Sequence, residues 1–108
     1  MTITFDKDGL VPAIIQDEDT NQVLMLGFMN RESLDRTLDS GHVTFWSRSR
    51  QELWEKGATS GNYLNTVSVS YNCEENSLLV KAHPQGPTCH TLNDTCYFRE
   101  LDPAKDLD

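Results

Sequence analysis

No apolar run in this chain approaches the roughly 20 residues needed to cross a bilayer, so no membrane role is expected. The opening stretch "MTITFDKDGLVPA" lacks the basic region and long apolar segment of a secretory signal and carries acidic residues instead, which makes the cytoplasm the expected compartment. Basic charge is scarce as well: 9 Lys and Arg stand against 17 Asp and Glu, a net charge of −8. That sign excludes a general nucleic-acid binder and favours solubility. No internal repeat is visible, and no second domain is expected within these residues. The 108 residues are expected to form one domain, 1–108, that buries roughly 65% of the surface its unfolded form exposes. An even set of cysteines is also lacking. There are three, which cannot all pair within one molecule, and in a reducing compartment such thiols serve as metal ligands, catalytic groups or inert core residues.

What is present reads as an α+β pattern. "PAIIQD" (12–17) and "QVLMLGFM" (22–29) are β-branched or apolar runs separated by the polar "EDTN", a hairpin signal. Asn30 stands where a helix N-cap belongs, Glu32 complements the first turn, Leu34 and Leu38 share a face, and Gly41 sits at the expected stop. "HVTFWS" (42–47), "TVSVSY" (66–71) and "SLLVKA" (77–82) read as strands, the last two joined by a tight hairpin through "CEEN". Between Ser47 and Asn62 the pattern breaks: "SRSRQELWEKGATSGN" has no clean period and is expected to be a working loop. The charged tail "RELDPAKDLD" is expected to fray over about 100–108.

The thiols sit at places that can converge. Cys73 ends a predicted strand, Cys89 follows the rigid "GPT" turn, and Cys96 comes seven positions later. Three thiolates suit a borderline-soft ion such as Zn²⁺ and leave one tetrahedral position for water, the mark of a catalytic site; His90 or His83 as a fourth ligand would make it structural instead. The zinc deaminase pattern, H-x-E followed by P-C-x-x-C, is absent. Six residues separate Cys89 from Cys96, and neither His42 nor His83 is followed two positions later by glutamate.

Five segments in order, "GLVPAIIQD", "VLMLGFMN", "TFWSRSRQELWEKGATSGN", "NCEEN" and "GPTCHTLNDTC", with the spacing C-x15-C-x6-C, resemble the phosphoribosyl-AMP cyclohydrolases of histidine biosynthesis. The resemblance runs from about Phe5 to Phe98. It implies a small, mostly antiparallel α+β domain with one helix, forming an intertwined homodimer. It further implies that Cys73 of one chain and Cys89 and Cys96 of the other bind zinc. The implied substrate is AMP carrying a second phosphoribosyl group on N1, which turns the ring into a cyclic amidinium and makes C6 electrophilic. Water added at C6 opens the N1–C6 bond and leaves the phosphoribosyl-formimino imidazole carboxamide ribotide, the third step of that pathway. Zinc serves such a step by lowering the pKa of bound water to about 7.

Within this frame His90, beside a ligand and with an ordinary pKa near 6.5, is the candidate for proton transfer, the alternative being a supporting hydrogen-bond partner. His42 is expected at the surface and His83 stays unassigned. Arg48, Arg50 and Lys56 supply three of the nine basic residues in one short loop, as a substrate with two phosphates needs. Ser47, Ser49, Ser60 and Asn62 add polar groups there, and Gly57 and Gly61 let backbone amides approach an anion. Trp54 either stacks on the base or fills the core. The family's D-C-D-x-D stretch, associated with Mg²⁺, reads here Asn72-Cys73-Glu74-Glu75-Asn76. One carboxylate at Glu74 with amides at Asn72 and Asn76 should bind Mg²⁺ weakly. The alternative function is an impaired, zinc-stapled dimer that binds nucleotides without turning them over. Many relatives carry a pyrophosphohydrolase domain after this one.

Overall fold

The computed structural model describes residues 2–107. Strand β1 (Val11–Asp17) buries Val11, Ala13 and Ile15 in strict alternation, the period-2 pattern of a half-covered strand. It pairs antiparallel with β2 (Val23–Met29) through the predicted hairpin. Pro12 is tolerated in this central strand because it precedes the other ladder, which begins at Ala13.

Helix α1 (Arg31–Ser40) starts and stops where its capping residues dictate. Asn30 accepts from the Ser33 amide at 2.8 Å while the Ser33 hydroxyl accepts from the Asn30 amide at 2.9 Å, and Gly41 ends the helix in the left-handed region at φ 78°. Its buried stripe is Ser33, Leu34 and Thr37. Leu38, expected beside Leu34, is instead 58% exposed. Thr37 explains the rotation: its hydroxyl accepts from the Thr44 amide at 2.9 Å, tying the helix to the next strand through a polar contact.

β3 (Thr44–Ser47) pairs antiparallel with β4 (Glu52–Glu55), a strand inside the segment expected to be irregular. Four residues flanked by charges offer too little periodicity to register in sequence. β5 (Leu64–Tyr71) and β6 (Leu78–Pro84) form the predicted second hairpin. The main sheet has the order β2-β1-β6-β5, so β1 and β6 run parallel at its centre and the sheet is mixed rather than wholly antiparallel. Phe45 of β3 lies over β2 at Gly27, where an added Cβ would come within 2.5 Å of the ring; that close approach seals the core between the two sheets. In the tail, Asp102 caps a short helix α2 (Pro103–Asp106), none of it buried, by accepting from the Ala104 amide at 2.9 Å.

Candidate active site

Cys73 lies exposed in the turn between β5 and β6. Cys89 and Cys96 lie beyond the other end of β6. Seven residues of extended chain separate the two ends by roughly 20 Å. Among the described residues, no three Cys, His, Asp or Glu side chains gather in a metal-binding cluster. One chain therefore brings together two of the three cysteines and leaves the third apart.

Cys89 is buried, and its sulfur accepts from the Thr91 hydroxyl at 3.0 Å. The Thr91 side chain and backbone donors hold its thiol below the usual range, helped by the Cys96 side chain and the Lys56 charge. The Cys96 thiol is raised, first by desolvation and then by the charge and hydrogen bond of Cys89. The two sulfurs thus behave as a coupled pair in which one ionises readily and the other resists. Cys96 is positioned by β2: its amide donates to the Leu24 carbonyl at 2.8 Å, and the hydroxyl of buried Thr95 donates to the Val23 carbonyl at 2.7 Å. Two adjacent soft donors, one predisposed to ionise, fit a zinc ion that obtains further ligands from elsewhere. His90 is exposed next to Cys89, free of the sheet.

The basic loop reaches the same region. Lys56 lies close enough to favour ionisation of both thiols. Asn62 packs its side-chain oxygen against Gly86, where a Cβ would overlap it, so the loop rests on the segment that leads into Cys89. Gly57, at φ 95°, is pressed against the backbone of Asn62 and Tyr63, and Gly61 at φ 80° donates to the Gly57 carbonyl at 2.8 Å. The Ser60 hydroxyl accepts from the Asn62 amide at 3.2 Å. Upstream, Ser47 accepts from the Arg50 amide at 3.2 Å and lies 3.4 Å from the Ser49 hydroxyl.

A cleft of about 610 Å³ opens beside this turn, lined by Phe28, Trp46, Ser47, Arg48, Ser49 and Trp54 among others. The Arg48 guanidinium sits 3.9 Å above the Phe28 ring, and Trp54, 40% exposed, leans on Phe45. Trp54 thus touches core residue Phe45 and also borders the cleft. Arg50 is not among the lining residues and makes a weak 3.9 Å approach to Glu52. Phe28 and Trp46 were read only as strand residues; an aromatic that faces a cleft and one that faces a core look alike in a strand pattern. Thr91 also escaped notice, since nothing local distinguishes it from an ordinary turn residue.

The magnesium positions do not fit a hard cation. Asn72 accepts the Asn76 and Ser77 amides on its side-chain oxygen at 2.9 and 3.0 Å, and its side-chain nitrogen donates to the Asn76 side-chain oxygen at 2.7 Å. Both amide oxygens accept hydrogen bonds that close the turn, and neither carries the charge a hard cation prefers. Glu74 alone remains exposed as a carboxylate. His42, expected at the surface, is half-buried: Nδ1 lies 2.9 Å from Glu55 and the ring stacks on Tyr63 at 4.4 Å. His42 is held there because the β3–β4 and β5 segments meet at the His42–Asn65 bridge. His83, at the far side of β6, lies 3.1 Å from Asp19.

Comparison with known proteins places these features in a family context. Residues 25–98 match the family described as Phosphoribosyl-AMP cyclohydrolase. The chain is 52% identical over 99 residues to the Phosphoribosyl-AMP cyclohydrolase of Lactiplantibacillus plantarum, covering 91% of this chain and 92% of that protein. It is 55% identical over 98 residues to the Histidine biosynthesis bifunctional protein HisIE of Bacteroides thetaiotaomicron, covering 90% of this chain and 48% of that protein. Against the HisIE protein of Escherichia coli K12 the identity is 56% over 90 residues, 83% of this chain and 44% of that protein. The chain spans about half the length of the bifunctional relatives it matches. No helix among the described residues is long and apolar enough to cross a membrane.

Proposed function

Because the chain belongs to the phosphoribosyl-AMP cyclohydrolase family, we propose that it hydrolyses the adenine ring of N1-phosphoribosylated AMP in histidine biosynthesis, as a homodimer with zinc sites shared between copies. Each site takes Cys89 and Cys96 from one copy and Cys73 from the other. What supports this most is the separation of Cys73 from the Cys89–Cys96 pair by the length of β6, with the pair itself preformed beside Lys56. A second copy supplies the missing sulfur. The expected place of action is the cytoplasm.

When bound, zinc supplies Lewis acidity and lowers the pKa of water to about 7, which makes a nucleophile available at neutral pH. The chain's own residues do the rest. Trp54, Phe28 and Trp46 offer apolar faces to the purine, and Arg48 with the Ser47 and Ser49 hydroxyls meets phosphate oxygens at the rim of the cleft. Lys56 and the turn from Gly57 to Asn62 sit between the cleft strand β4 and the thiols, where a second phosphate of the same substrate falls. His90, exposed beside Cys89, takes the proton of the water that adds to C6 and returns it to N1 as the N1–C6 bond breaks. One water is consumed, no redox partner is needed, and the ring opens to an imidazole carboxamide. No step is assigned to magnesium.

The test uses two inactive variants. Cys73→Ser and Cys89→Ser each destroy every shared site in their own homodimers. Mixed after co-refolding, half of the dimers are heterodimers with one intact site in two, so about a quarter of the wild-type ring-opening signal should return. No recovery, with heterodimers demonstrated, rules out shared sites; activity in either variant alone rules out the cysteine assignment. A zinc-loaded wild-type dimer that binds phosphoribosyl-AMP without turnover would point instead to a nucleotide-binding module, in which the altered Asn72–Asn76 stretch has cost the chain its turnover.

A further inference from the structure

We propose that Thr91, backed by Asn93, is a positioning residue that sets the affinity of the Cys89 sulfur for its metal. The inference rests on the zinc reading given above. A threonine hydroxyl has one proton and two lone pairs, and left alone it rotates among partners. Here it is constrained from both sides. The Asn93 side-chain nitrogen donates to Thr91 Oγ1 at 2.8 Å, and Thr91 Oγ1 donates to Cys89 Sγ at 3.0 Å. Because Asn93 occupies a lone pair of the oxygen, the single Thr91 proton is directed at sulfur. The chain has only one sense, from amide to hydroxyl to thiolate.

The backbone is bent to bring this about. The Cys89 carbonyl accepts from the Leu92 amide at 2.9 Å, and the Cys89 amide donates to the Asn93 carbonyl at 3.1 Å. This tight turn swings Thr91 and Asn93 back over the cysteine. Closing it forces Leu92 to φ 71°, a left-handed conformation that costs a leucine of order 1 kcal/mol or more. Leu92 is 73% exposed in the single chain, so packing within that chain does not offset the cost. What the turn provides within the chain is the placement of Thr91 and Asn93 beside the sulfur. Among the described residues no hydroxyl donates to the Cys96 sulfur; Cys96 is anchored through its own amide and through Thr95 on β2. Both cysteines are thus tied by their backbone amides, and Cys89 has in addition a donor on the sulfur itself. Residues that orient a metal ligand in this way typically alter metal affinity 10- to 100-fold (order of magnitude).

The experiment is a zinc competition titration against a chromophoric chelator at fixed pH, using the full chain. Thr91→Val keeps the shape and removes the donor; it should weaken zinc binding about 10- to 100-fold. Thr91→Ser restores the donor and should recover most of that loss, which a merely space-filling role would not predict. Asn93→Ala leaves the hydroxyl free to rotate and should fall between wild type and Thr91→Val. In the cobalt-substituted proteins the thiolate-to-metal charge-transfer band should shift in Thr91→Val and return in Thr91→Ser. Zinc affinity of Thr91→Val equal to wild type overturns the proposal. Should Thr91→Val not fold, Asn93→Ala decides: wild-type affinity there overturns it equally. A wild-type protein that takes up no zinc overturns the zinc reading and this inference together, which is a different result from wild-type zinc binding with unaffected variants.

Discussion

Gly57→Ala tests how the phosphate loop is fastened to the thiol site. Gly57 has φ 95°, outside the range that L side chains adopt easily, which costs of order 1–3 kcal/mol for alanine. A Cβ there would stand 2.5 Å from the Asn62 carbonyl carbon, 2.5 Å from the Tyr63 amide nitrogen and 2.6 Å from its Cα. These are backbone atoms and cannot rotate aside. Overpacking of this kind costs about 1–3 kcal/mol, so the combined destabilisation should be about 2–6 kcal/mol, a large share of the roughly 5–15 kcal/mol that holds a domain together. Gly61→Ala is the control. It shares a positive φ of 80° but has nothing within 4 Å of the added carbon, so only the conformational cost of about 1 kcal/mol is expected. Urea unfolding of both variants at one fixed protein concentration measures the difference. Because Asn62 also rests on Gly86, displacement of the loop should raise KM in Gly57→Ala more than in Gly61→Ala. Equal destabilisation of the two variants would refute the overlap argument, and an unchanged KM would refute the link to the Cys89 segment.

The Asn72–Asn76 lock predicts that zinc-loaded protein retains full activity after Mg²⁺ is removed by dialysis, and that Asn72→Asp with Asn76→Asp creates divalent-cation binding detectable by calorimetry; a Mg²⁺ requirement in the wild type would contradict it. In metal-free protein carrying Cys73→Ser, which leaves only the other two thiols, thiolate absorbance should rise in two steps, Cys89 below the ordinary thiol range and Cys96 above it. The sign follows for stability. The lowered Cys89 favours the fold above the unfolded thiol's pKa and loses that contribution as pH falls through its folded value. The raised Cys96 favours the fold below the unfolded pKa and loses its contribution as pH rises through its folded value. A single step for both thiols would remove the coupling, and Cys89→Ser should bring the Cys96 step back down. His90→Ala should keep its zinc while turnover falls about 10²- to 10⁴-fold; near-normal rates would reduce His90 to a supporting role.

Local chemistry was legible wherever it is written in neighbouring residues. Asn30 and Gly41 delimit the helix because capping is a matter of hydrogen bonds within one turn. The run from Pro12 to Asp17 marks a strand because β-branched residues suit a pleated, half-covered surface whatever its partners. The strand from Glu52 to Glu55 was not legible, since four residues hold less than one clear period and their ladder to β3 is tertiary. The same holds for His42, whose neighbours Glu55 and Tyr63 are distant in sequence and supply the burial that its local context does not suggest.

By itself the sequence determined the family, the spacing of three thiols and the concentration of basic groups in one loop, because these are facts of residue type and order. Only the tertiary structure decided that β1 and β6 lie parallel, that Cys89 and Cys96 meet while Cys73 stands at the far end of a strand, and that the Asn72 and Asn76 amides satisfy each other. The reason is physical: spacing limits how far apart two side chains can be, but a strand between them sets how far apart they are, and a hydrogen-bond partner is chosen in space.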